Sequence, residues 1–169
     1  MTKALVFLLV FCSALFAQGA FTDSRDGKTY KIVKIGNQTW MDGNLEFNAA
    51  GSKCYGNEPE NCAKFGRLYS WFEARQACPA GWHLPSDNEW QALVDFAGNE
   101  KVYEFLALLG GNGNSNGNFY NINSSGRWWS ATEYNALRAY RRYIYNNNKE
   151  VDHYHGDKKL LLSVRCLQD

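Results

Sequence analysis

Residues 65 to 90 place a helix, a cysteine and a second helix in succession, and this stretch constrains the fold more than any other part of the chain. Residues at helical spacing predict a first helix with an apolar stripe that faces a core: Leu68, Trp71, Phe72 and Arg75. Pro79 and Gly81 predict that this helix ends at Cys78. A cysteine therefore stands at the junction of two helices.

The second helix of the stretch is predicted to begin after Ser86. Ser86 and Glu89 have the spacing of a capping box, in which each side chain satisfies a free backbone amide. Its buried face follows at helical spacing: Trp90, Leu93, Val94 and Ala97. Asp87 and Glu89 also resemble a pair of carboxylates, but the capping role accounts for both.

Residues 1 to 19 have the pattern of a secretory signal peptide, and residues 20 to 169 are predicted to form one mature domain. The apolar run is too short to span a membrane, and small residues permit cleavage after Ala17 or Gly19. A lipid anchor at Cys12 is the alternative, although the small residue expected before a lipidated cysteine is missing. We expect a secreted or cell-surface protein that is not inserted in a membrane after signal removal.

The charge of the mature chain argues against two classes of partner. The sequence has 18 Lys and Arg against 17 Asp and Glu, so removal of Lys3 with the signal makes the chain formally neutral. A neutral chain has no field that attracts nucleic acid or an anionic membrane. We expect neither as a partner, and no cofactor.

Four cysteines remain after signal removal: Cys54, Cys62, Cys78 and Cys166. An even number in an exported chain predicts two disulfides, for which three pairings exist. The short separation of Cys54 and Cys62 suits a local loop, which leaves Cys78 to join Cys166 across most of the domain. A zinc site fits less well, because no C-x-x-C spacing is present and exported proteins meet an oxidising environment.

Alternating and turn patterns predict two β-hairpins and a last strand. After a polar leader over residues 21 to 26, the first hairpin joins Thr29–Ile35 to Gln38–Met41. The second hairpin is predicted to join residues 139 to 145 with 150 to 155, and residues 159 to 167 supply the last strand.

A short third helix and a polar loop are predicted between the hairpins. The helix is indicated by Val102, Phe105, Leu106 and Leu109. Residues 110 to 118, with the sequence GGNGNSNGN, have no side chain that can build a core and predict a mobile surface loop. A loop shaped by a ligand is the alternative.

Six short motifs are spread over nearly the whole mature chain. They are DGKTYKIVKIGNQTWM at 26 to 41, Asn44-Leu45, GRLYSW at 66 to 71, CPAGWHLPSDNEW at 78 to 90, WWSATE at 128 to 133 and SVRC at 163 to 166. Together they resemble the Fibrobacter succinogenes major paralogous domain family, although Asp42-Gly43 stands where that family usually has Ala-Glu. The resemblance implies an exported, often surface-associated protein of no established activity.

The order of these motifs is more distantly similar to the C-type lectin-like fold, which formylglycine-generating enzymes also use. That similarity implies an α+β domain of short antiparallel strands with two to three helices. It also implies a disulfide from the end of the first helix to the last strand, and therefore the pairs Cys54–Cys62 and Cys78–Cys166. It implies neither known activity, because the Trp-Asn-Asp strand of calcium-dependent lectins is missing and disulfides account for all four cysteines.

An aromatic cluster in the second half of the chain is the predicted ligand-binding site. Its members are Trp128, Trp129, Tyr134, Tyr140, Arg142, Tyr143, Tyr145 and Tyr154. Flat amphipathic rings beside arginines suit a carbohydrate ring or a protein surface. Residues 127 to 132 form a predicted strand, so Trp128 and Trp129 point to opposite faces and only one of them is expected in the core.

The three histidines are the remaining candidates for chemistry. His153 and His155 project from one face of a predicted strand, a spacing that can chelate a transition metal, although a solvated edge strand explains them equally. His83 is expected to be packed and hydrogen-bonded. No Ser-His-Asp or activated-cysteine arrangement can be assembled, so no catalytic residue is predicted.

These patterns favour a non-enzymatic, exported module that binds a glycan or a cell-surface partner. A structural or adhesive surface protein that binds another protein is the alternative. An enzyme is the third possibility, and it would need residues 110 to 118 to cover a pocket that holds a perturbed acid or base.

Overall fold

Two five-stranded sheets, one short hairpin and four α-helices form residues 18 to 169, the part of the chain that this computed structural model describes. The strands are β1 Gln18–Thr22, β2 Thr29–Ile35, β3 Gln38–Met41, β4 Leu68–Tyr69, β5 Trp82–His83, β6 Asn112–Gly113, β7 Phe119–Tyr120, β8 Ser125–Glu133, β9 Arg138–Tyr145, β10 Asn148–Asp157, β11 Leu162–Ser163 and β12 Leu167–Gln168. The helices are α1 Pro59–Phe65, α2 Trp71–Ala77, α3 Asp87–Ala97 and α4 Asn99–Leu106, and a 3-10 turn spans Tyr55–Asn57. All but the last two residues of the predicted signal segment, and Cys12 with them, lie outside the described residues.

The α+β class is confirmed, but four α-helices are present where two to three were predicted. Helix α1 was missed because its surroundings are rich in Gly, Asn, Glu and Pro, although Pro59 occupies a first-turn position that favours a helix start. Helix α4 begins and ends about three residues earlier than its apolar residues suggested. In the described part of the chain, no helix is both long enough and apolar enough to cross a membrane.

The first sheet has the order β1-β2-β3-β12-β5 and brings the two ends of the described chain together. The predicted polar leader is wrong at its start, because β1 pairs antiparallel with β2 and sets Phe21 opposite Tyr30. Phe21 is covered by Trp82, with 5.2 Å between the ring centroids. Pairing with β2 and the apolar contact of Phe21 therefore hold a segment of otherwise polar composition against the domain.

The second sheet has the order β10-β9-β8-β11-β4, and β10 lies at its edge. The predicted second hairpin is confirmed as β9 and β10, which pair antiparallel with Tyr140 opposite His155. The predicted last strand is broken into β11, which joins this sheet, and β12, which joins the first. The end of the chain thus links the two sheets.

Both helices of the central stretch begin with a capping box. The box of Ser86 and Glu89 is confirmed, and a second one joins Ser70 to Glu73 at the start of α2. The predicted apolar stripe of α2 is wrong at two positions, since Leu68 belongs to β4 and Phe72 is exposed. Because α2 begins at Trp71, its buried face is made by residues three apart: Trp71, Ala74 and Ala77.

Apolar cores lie on both sides of the second sheet. Trp129 packs in one core with Tyr69 and Leu162, and Trp128 packs in the other with Trp40 and Trp90. The expectation that only one of the paired tryptophans is buried is therefore wrong, since both have no exposed surface. Strand β8 is covered on both faces, so two successive residues whose side chains point to opposite faces are both core residues.

The two disulfides are Cys54–Cys62 and Cys78–Cys166, as predicted. The first closes a short loop around α1, and we call this loop, residues 54 to 62, the clasp. The second joins residues that are 88 positions apart, with 5.8 Å between their Cα atoms. It ties the end of α2 to the segment just before β12.

The predicted mobile loop at residues 110 to 118 is wrong in its first half. Residues 110 to 113 are buried, and the β6-β7 hairpin is anchored where Gly113 N donates to Leu161 O at 2.8 Å. Gly111 has φ +69°, and a Cβ there would lie 2.4 Å from Tyr120 O. Glycine permits a backbone packing that a composition rich in Gly and Asn does not reveal.

Candidate functional site

The two tryptophans of the predicted aromatic cluster are structural. Trp128 Nε1 donates to Asn44 Oδ1 at 2.7 Å, and Trp129 Nε1 donates to the Tyr69 carbonyl at 2.9 Å. Both rings are fully buried, so neither can form part of a ligand-binding surface. Their prediction as ligand-binding residues is corrected accordingly.

Arg142 is also removed from the predicted site by its burial. Its guanidinium donates to Asp87 Oδ1 at 2.9 Å and to Gln91 Oε1 at 3.2 Å. These contacts fasten β9 to the first turns of α3. A buried arginine with these contacts positions β9 against α3. It presents no donor at the surface to which a ligand could bind.

The predicted tyrosines are divided between the two faces of the second sheet. Directly paired residues of neighbouring strands project to the same side, so Tyr140 shares one face with His155 and Tyr143 shares the other with Asp152. Tyr145 follows Tyr143 on its face, with 5.6 Å between their ring centroids. The eight predicted residues therefore do not form one site.

A stack of tyrosine and histidine rings lies along the edge of this sheet. Tyr134 stacks on His155 with 3.9 Å between the ring centroids, and Tyr140 stacks on His153 at 4.9 Å. Tyr154 stacks on the other flank of His155 at 4.3 Å. We call these five side chains the Tyr–His edge.

Both histidines of this edge stack on tyrosine rings, and His153 also lies beside a carboxylate. His153 Nε2 lies 3.1 Å from Asp87 Oδ1. Burial lowers the pKa of His153, the nearby Arg142 lowers it further, and Asp87 opposes both. Across residues 18 to 169, no group of three or more His, Cys, Asp or Glu side chains has the geometry of a metal site.

His83 lies at a different place, between α3 and the end of the chain. Its Nδ1 is 2.6 Å from Asp169 Oδ1, and its Nε2 is 3.0 Å from Glu89 Oε1. Burial lowers the pKa of His83, but the two carboxylates together outweigh it and raise the pKa above its ordinary value. The prediction of a hydrogen-bonded histidine is confirmed.

One cleft, which we call the main cleft, lies between the clasp, helix α2 and the β6-β7 hairpin and has a volume of about 410 Å³. Lys53 and Asn57 line one side, Asn114 and Phe119 line the other, and Lys159 closes an end. Tyr55 of the clasp packs on Phe119 with 5.2 Å between the ring centroids, which joins the two walls. The cleft is therefore framed by ordered elements from distant parts of the chain.

Phe72 is the exposed aromatic ring of this cleft. It follows Trp71 in α2 and has 56% of its surface exposed, because the buried face of the helix leaves it outside. A second cavity of about 440 Å³ shares Phe72 and Glu73 with the main cleft and extends towards Phe47. A third, of about 190 Å³, shares Asn114 and Lys159 and extends to Leu160. Phe72 borders the first two cavities, and we call the three neighbouring cavities together the groove.

Glu73 is the carboxylate closest to Phe72, and it is engaged in local structure. Its Oε2 accepts a hydrogen bond from Ser70 N at 2.7 Å in the capping box, and its Oε1 lies against Gly51. A carboxylate held in this way caps α2. The groove thus offers amide, hydroxyl and ammonium groups around an aromatic ring.

A buried polar network away from the groove joins three of the sequence motifs. Asn44 Oδ1 accepts from Trp128 Nε1 at 2.7 Å and from Arg165 Nη2 at 3.1 Å, and Asn44 Nδ2 donates to Phe65 O at 2.7 Å. Burial lowers the pKa of Arg165 to about 10, with Asp42 opposing the shift, so the side chain remains a cation at neutral pH. Gly66, at φ +78°, leaves room for this network, since a Cβ there would lie 2.5 Å from Asn44 Cβ.

Asn44, the shared partner in this network, lies in the segment between β3 and α1. Residues 33–104 match the family model of the Fibrobacter succinogenes major domain. The match supports the resemblance of the motifs from residue 33 to residue 90, and it extends from β2 to α4. Neither a curated protein nor a solved structure matches the chain.

Two motifs lie beyond the segment that matches the Fibrobacter succinogenes major domain. Trp128 of WWSATE and Arg165 of SVRC both donate to Asn44, which lies inside that segment. Leu45 N also donates to Val164 O at 2.8 Å. The matched segment and the end of the chain are therefore parts of one folded unit.

The exposed ring of the groove was missed by the sequence pattern, although a signal for it was present. Phe72 was assigned to the buried stripe of a helix that began too early. The S-x-x-E spacing of Ser70 and Glu73 fixes the helix start at Trp71, and this start turns Phe72 away from the core. Lys53, Asn57 and Lys159 carry no local signal, because distant contacts bring them to the cleft.

Proposed function

We propose that this protein is an exported, non-enzymatic module that binds a polysaccharide in the groove around Phe72. The exposed Phe72 ring carries the proposal, because it lies in a cleft of about 410 Å³ beside Asn57, Asn114 and Ser115. A sugar ring has an apolar face and a rim of hydroxyl groups. A flat aromatic ring flanked by amides complements both parts of it.

Export is supported by the two disulfides, which form in oxidising compartments outside the cytosol. We propose that residues 1 to 17 act as the secretory signal. Cleavage after Ala17 would keep Gln18 and Gly19, which pair with β2, whereas cleavage after Gly19 would remove both. A secreted or cell-surface location follows from this proposal.

We infer a C-type lectin-like fold from the architecture. The Cys78–Cys166 disulfide joins the end of α2 to the segment before the last strand, and β12 pairs in one sheet with strands from the beginning of the domain. This arrangement agrees with the helix-to-last-strand disulfide of that fold. We also infer that the whole mature chain, beyond the matched residues 33–104, is one Fibrobacter succinogenes major domain.

The absence of catalysis is part of the proposal. Glu73 is the acid nearest the Phe72 ring, and its carboxylate caps α2 through Ser70 N. A general acid or base needs an oxygen that can reach a substrate. The lysines at the cleft, Lys53 and Lys159, are suited to binding a ligand as donors.

A protein-binding adhesive role is the second candidate function, and the Tyr–His edge favours it. Tyr134 and Tyr154 are exposed beside the unpaired edge of β10. Exposed tyrosines and free strand edges are both used in protein–protein contacts. Tyr134, Tyr140 and His153 of this surface do not line the groove, so variants at these positions test the second function separately.

Affinity electrophoresis in gels that contain soluble plant or microbial polysaccharides tests the proposed function. Phe72→Ala should weaken binding at least about tenfold, which corresponds to about 1.4 kcal/mol. Phe96→Ala is the matched control, because Phe96 is a phenylalanine of α3, 68% exposed, that does not line the groove. Equal binding by the wild type and both variants, or no retention by any gel alongside capture of a protein partner, would refute the proposal.

A further inference from the structure

We propose that the polysaccharide is acidic and that Arg127 and Arg141 bind its anionic groups beside the groove, an inference that rests on the proposed binding function. These two side chains form a basic pair on the face of the second sheet that carries Tyr143 and Tyr145. We call this pair the arginine site.

Strand register places the two arginines side by side. Arg127 of β8 lies opposite Tyr143 of β9, and Arg141 of β9 lies opposite Trp129 of β8. All four therefore project to one face, and Arg127 and Arg141 are diagonal neighbours. Arg141 lies over the Tyr143 ring, with 5.2 Å from its guanidinium carbon to the ring centroid.

Among residues 18 to 169, no carboxylate forms an ion pair with the arginine site, although Asp152 projects to the same face opposite Tyr143. Arg141 Nε and Nη1 are buried and have no hydrogen-bond partner, and Arg127 makes one long hydrogen bond, from Nε to Ser125 Oγ at 3.4 Å. Burial lowers the pKa of Arg141, and the adjacent Arg127 lowers it further. A carboxylate or sulfate bound beside the two guanidinium groups would supply the negative charge that is not paired with them and relieve the repulsion between the two cations.

The arginine site adjoins the end of the groove. A Cβ on Gly156 would lie 3.0 Å from Leu160 Cδ1 and 3.2 Å from Arg141 Nε. Leu160 lines the cavity that continues the main cleft past Lys159. A chain of sugar rings that runs along the groove from Phe72 would therefore pass Lys159 before it reaches the arginine site.

Exposed tyrosine rings make this site suited to a sugar rather than to a simple anion. Tyr145 and Tyr154 are both exposed, and Tyr154 is the direct strand partner of Arg141. Rings of this kind offer an apolar face next to the guanidinium donors. The combination matches a sugar that carries a charged substituent.

Isothermal titration of the oxidised protein with three probes tests the inference. The first probe is an oligomer of polygalacturonate, which carries carboxylates. The second is dextran sulfate, which carries sulfates, and the third is cellohexaose, which is neutral. Arg141→Gln and Arg127→Gln should each weaken binding of an acidic probe at least tenfold, and 0.5 M salt should weaken it in the wild type. Arg138→Gln is the matched control, because Arg138 lies on β9 but projects to the opposite face.

Stability separates a binding role from a structural one. Because Arg141 is a partly buried cation without a partner, Arg141→Gln should unfold at the same temperature as the wild type or at a higher one while binding is lost. Cellohexaose binding that requires Phe72 and is unchanged in both arginine variants would overturn the proposal of an acidic ligand. This result would leave the proposed polysaccharide-binding function intact. Binding of none of the three probes would overturn both, and equal binding of polyglutamate would overturn recognition of a sugar.

Discussion

At the scale of single residues, Asn44 explains why several motifs of the sequence occur together. Its amide oxygen accepts hydrogen bonds from Trp128 and from Arg165, two buried donors that are far from it in sequence. A buried donor without an acceptor costs more than a normal hydrogen bond contributes, and a charged donor costs most. These motif residues therefore stabilise the fold, and none of them touches the groove.

Asn44→Ala should lower the free energy of unfolding by about 3 kcal/mol, because two buried donors, one of them charged, lose their acceptor. Urea unfolding of the oxidised protein measures this change. Asn48→Ala is the control, since Asn48 is an exposed residue of the same segment, and it should change stability by less than about 0.5 kcal/mol. Similar values for the two variants would show that the network does not hold the fold.

His83 gives the protein a pH-dependent contact. Its folded pKa is raised, so the folded state holds the proton more tightly than the unfolded chain, whose histidine pKa is about 6.5. The contribution to stability is full below about pH 6.5 and is lost as the pH rises through the higher folded pKa. Because the side chain is about one third exposed, the effect is modest.

Titration by NMR should give His83 a pKa above 6.5 and His153 a pKa below 6.5. In stability measurements at several pH values, His83→Gln should remove the loss of stability that begins near neutral pH. Burial and Arg142 lower the pKa of His153, so its own contribution has the opposite sign and appears as the pH falls. A His83 pKa at or below that of a free histidine would contradict the contacts with Asp169 and Glu89.

At the scale of elements, local signals were sufficient where neighbouring residues decide the structure. The capping box at Ser86 fixed α3, and the alternating pattern with its turn fixed the β2-β3 hairpin. The start of α2 was misplaced because Leu68 continues the apolar period of the helix but belongs to a strand. Burial of residues 110 to 113 could not be predicted, since it depends on Leu161 and Ser125, which are distant in sequence.

The clasp should matter for binding as well as for stability. Cys54→Ser with Cys62→Ser opens a loop whose closure stabilises the domain by about 2 to 3 kcal/mol in the chain-entropy model. Lys53 and Asn57 lie beside or within this loop and line the cleft, so polysaccharide affinity should also fall. Asn44→Ala, destabilised by a similar amount away from the cleft, should keep its affinity in the same electrophoresis assay. If the double serine variant kept its polysaccharide affinity, the clasp would not be part of the binding site.

At the scale of the whole molecule, the fold class and the covalent frame could be predicted, but most of the site could not. The even number of cysteines, the predicted export and the cysteine spacing were sufficient to predict both disulfides. Two members of the predicted site, Trp128 and Trp129, are buried because their strand is covered on both faces, and coverage is a property of the assembled sheets. The groove is built from the clasp, α2 and the β6-β7 hairpin, which lie apart in sequence and meet only in the folded domain.

The most direct test of a polysaccharide groove is a map of backbone amide shifts in the isotope-labelled, oxidised protein as a binding oligosaccharide is added. The shifts should be largest at Lys53, Asn57, Phe72, residues 114 to 119 and Lys159. Small shifts are expected at Tyr134 and His153, which lie on the Tyr–His edge. Shifts confined to that edge, or spread over residues around Asn44 without any at Phe72, would contradict a ligand-binding groove around Phe72.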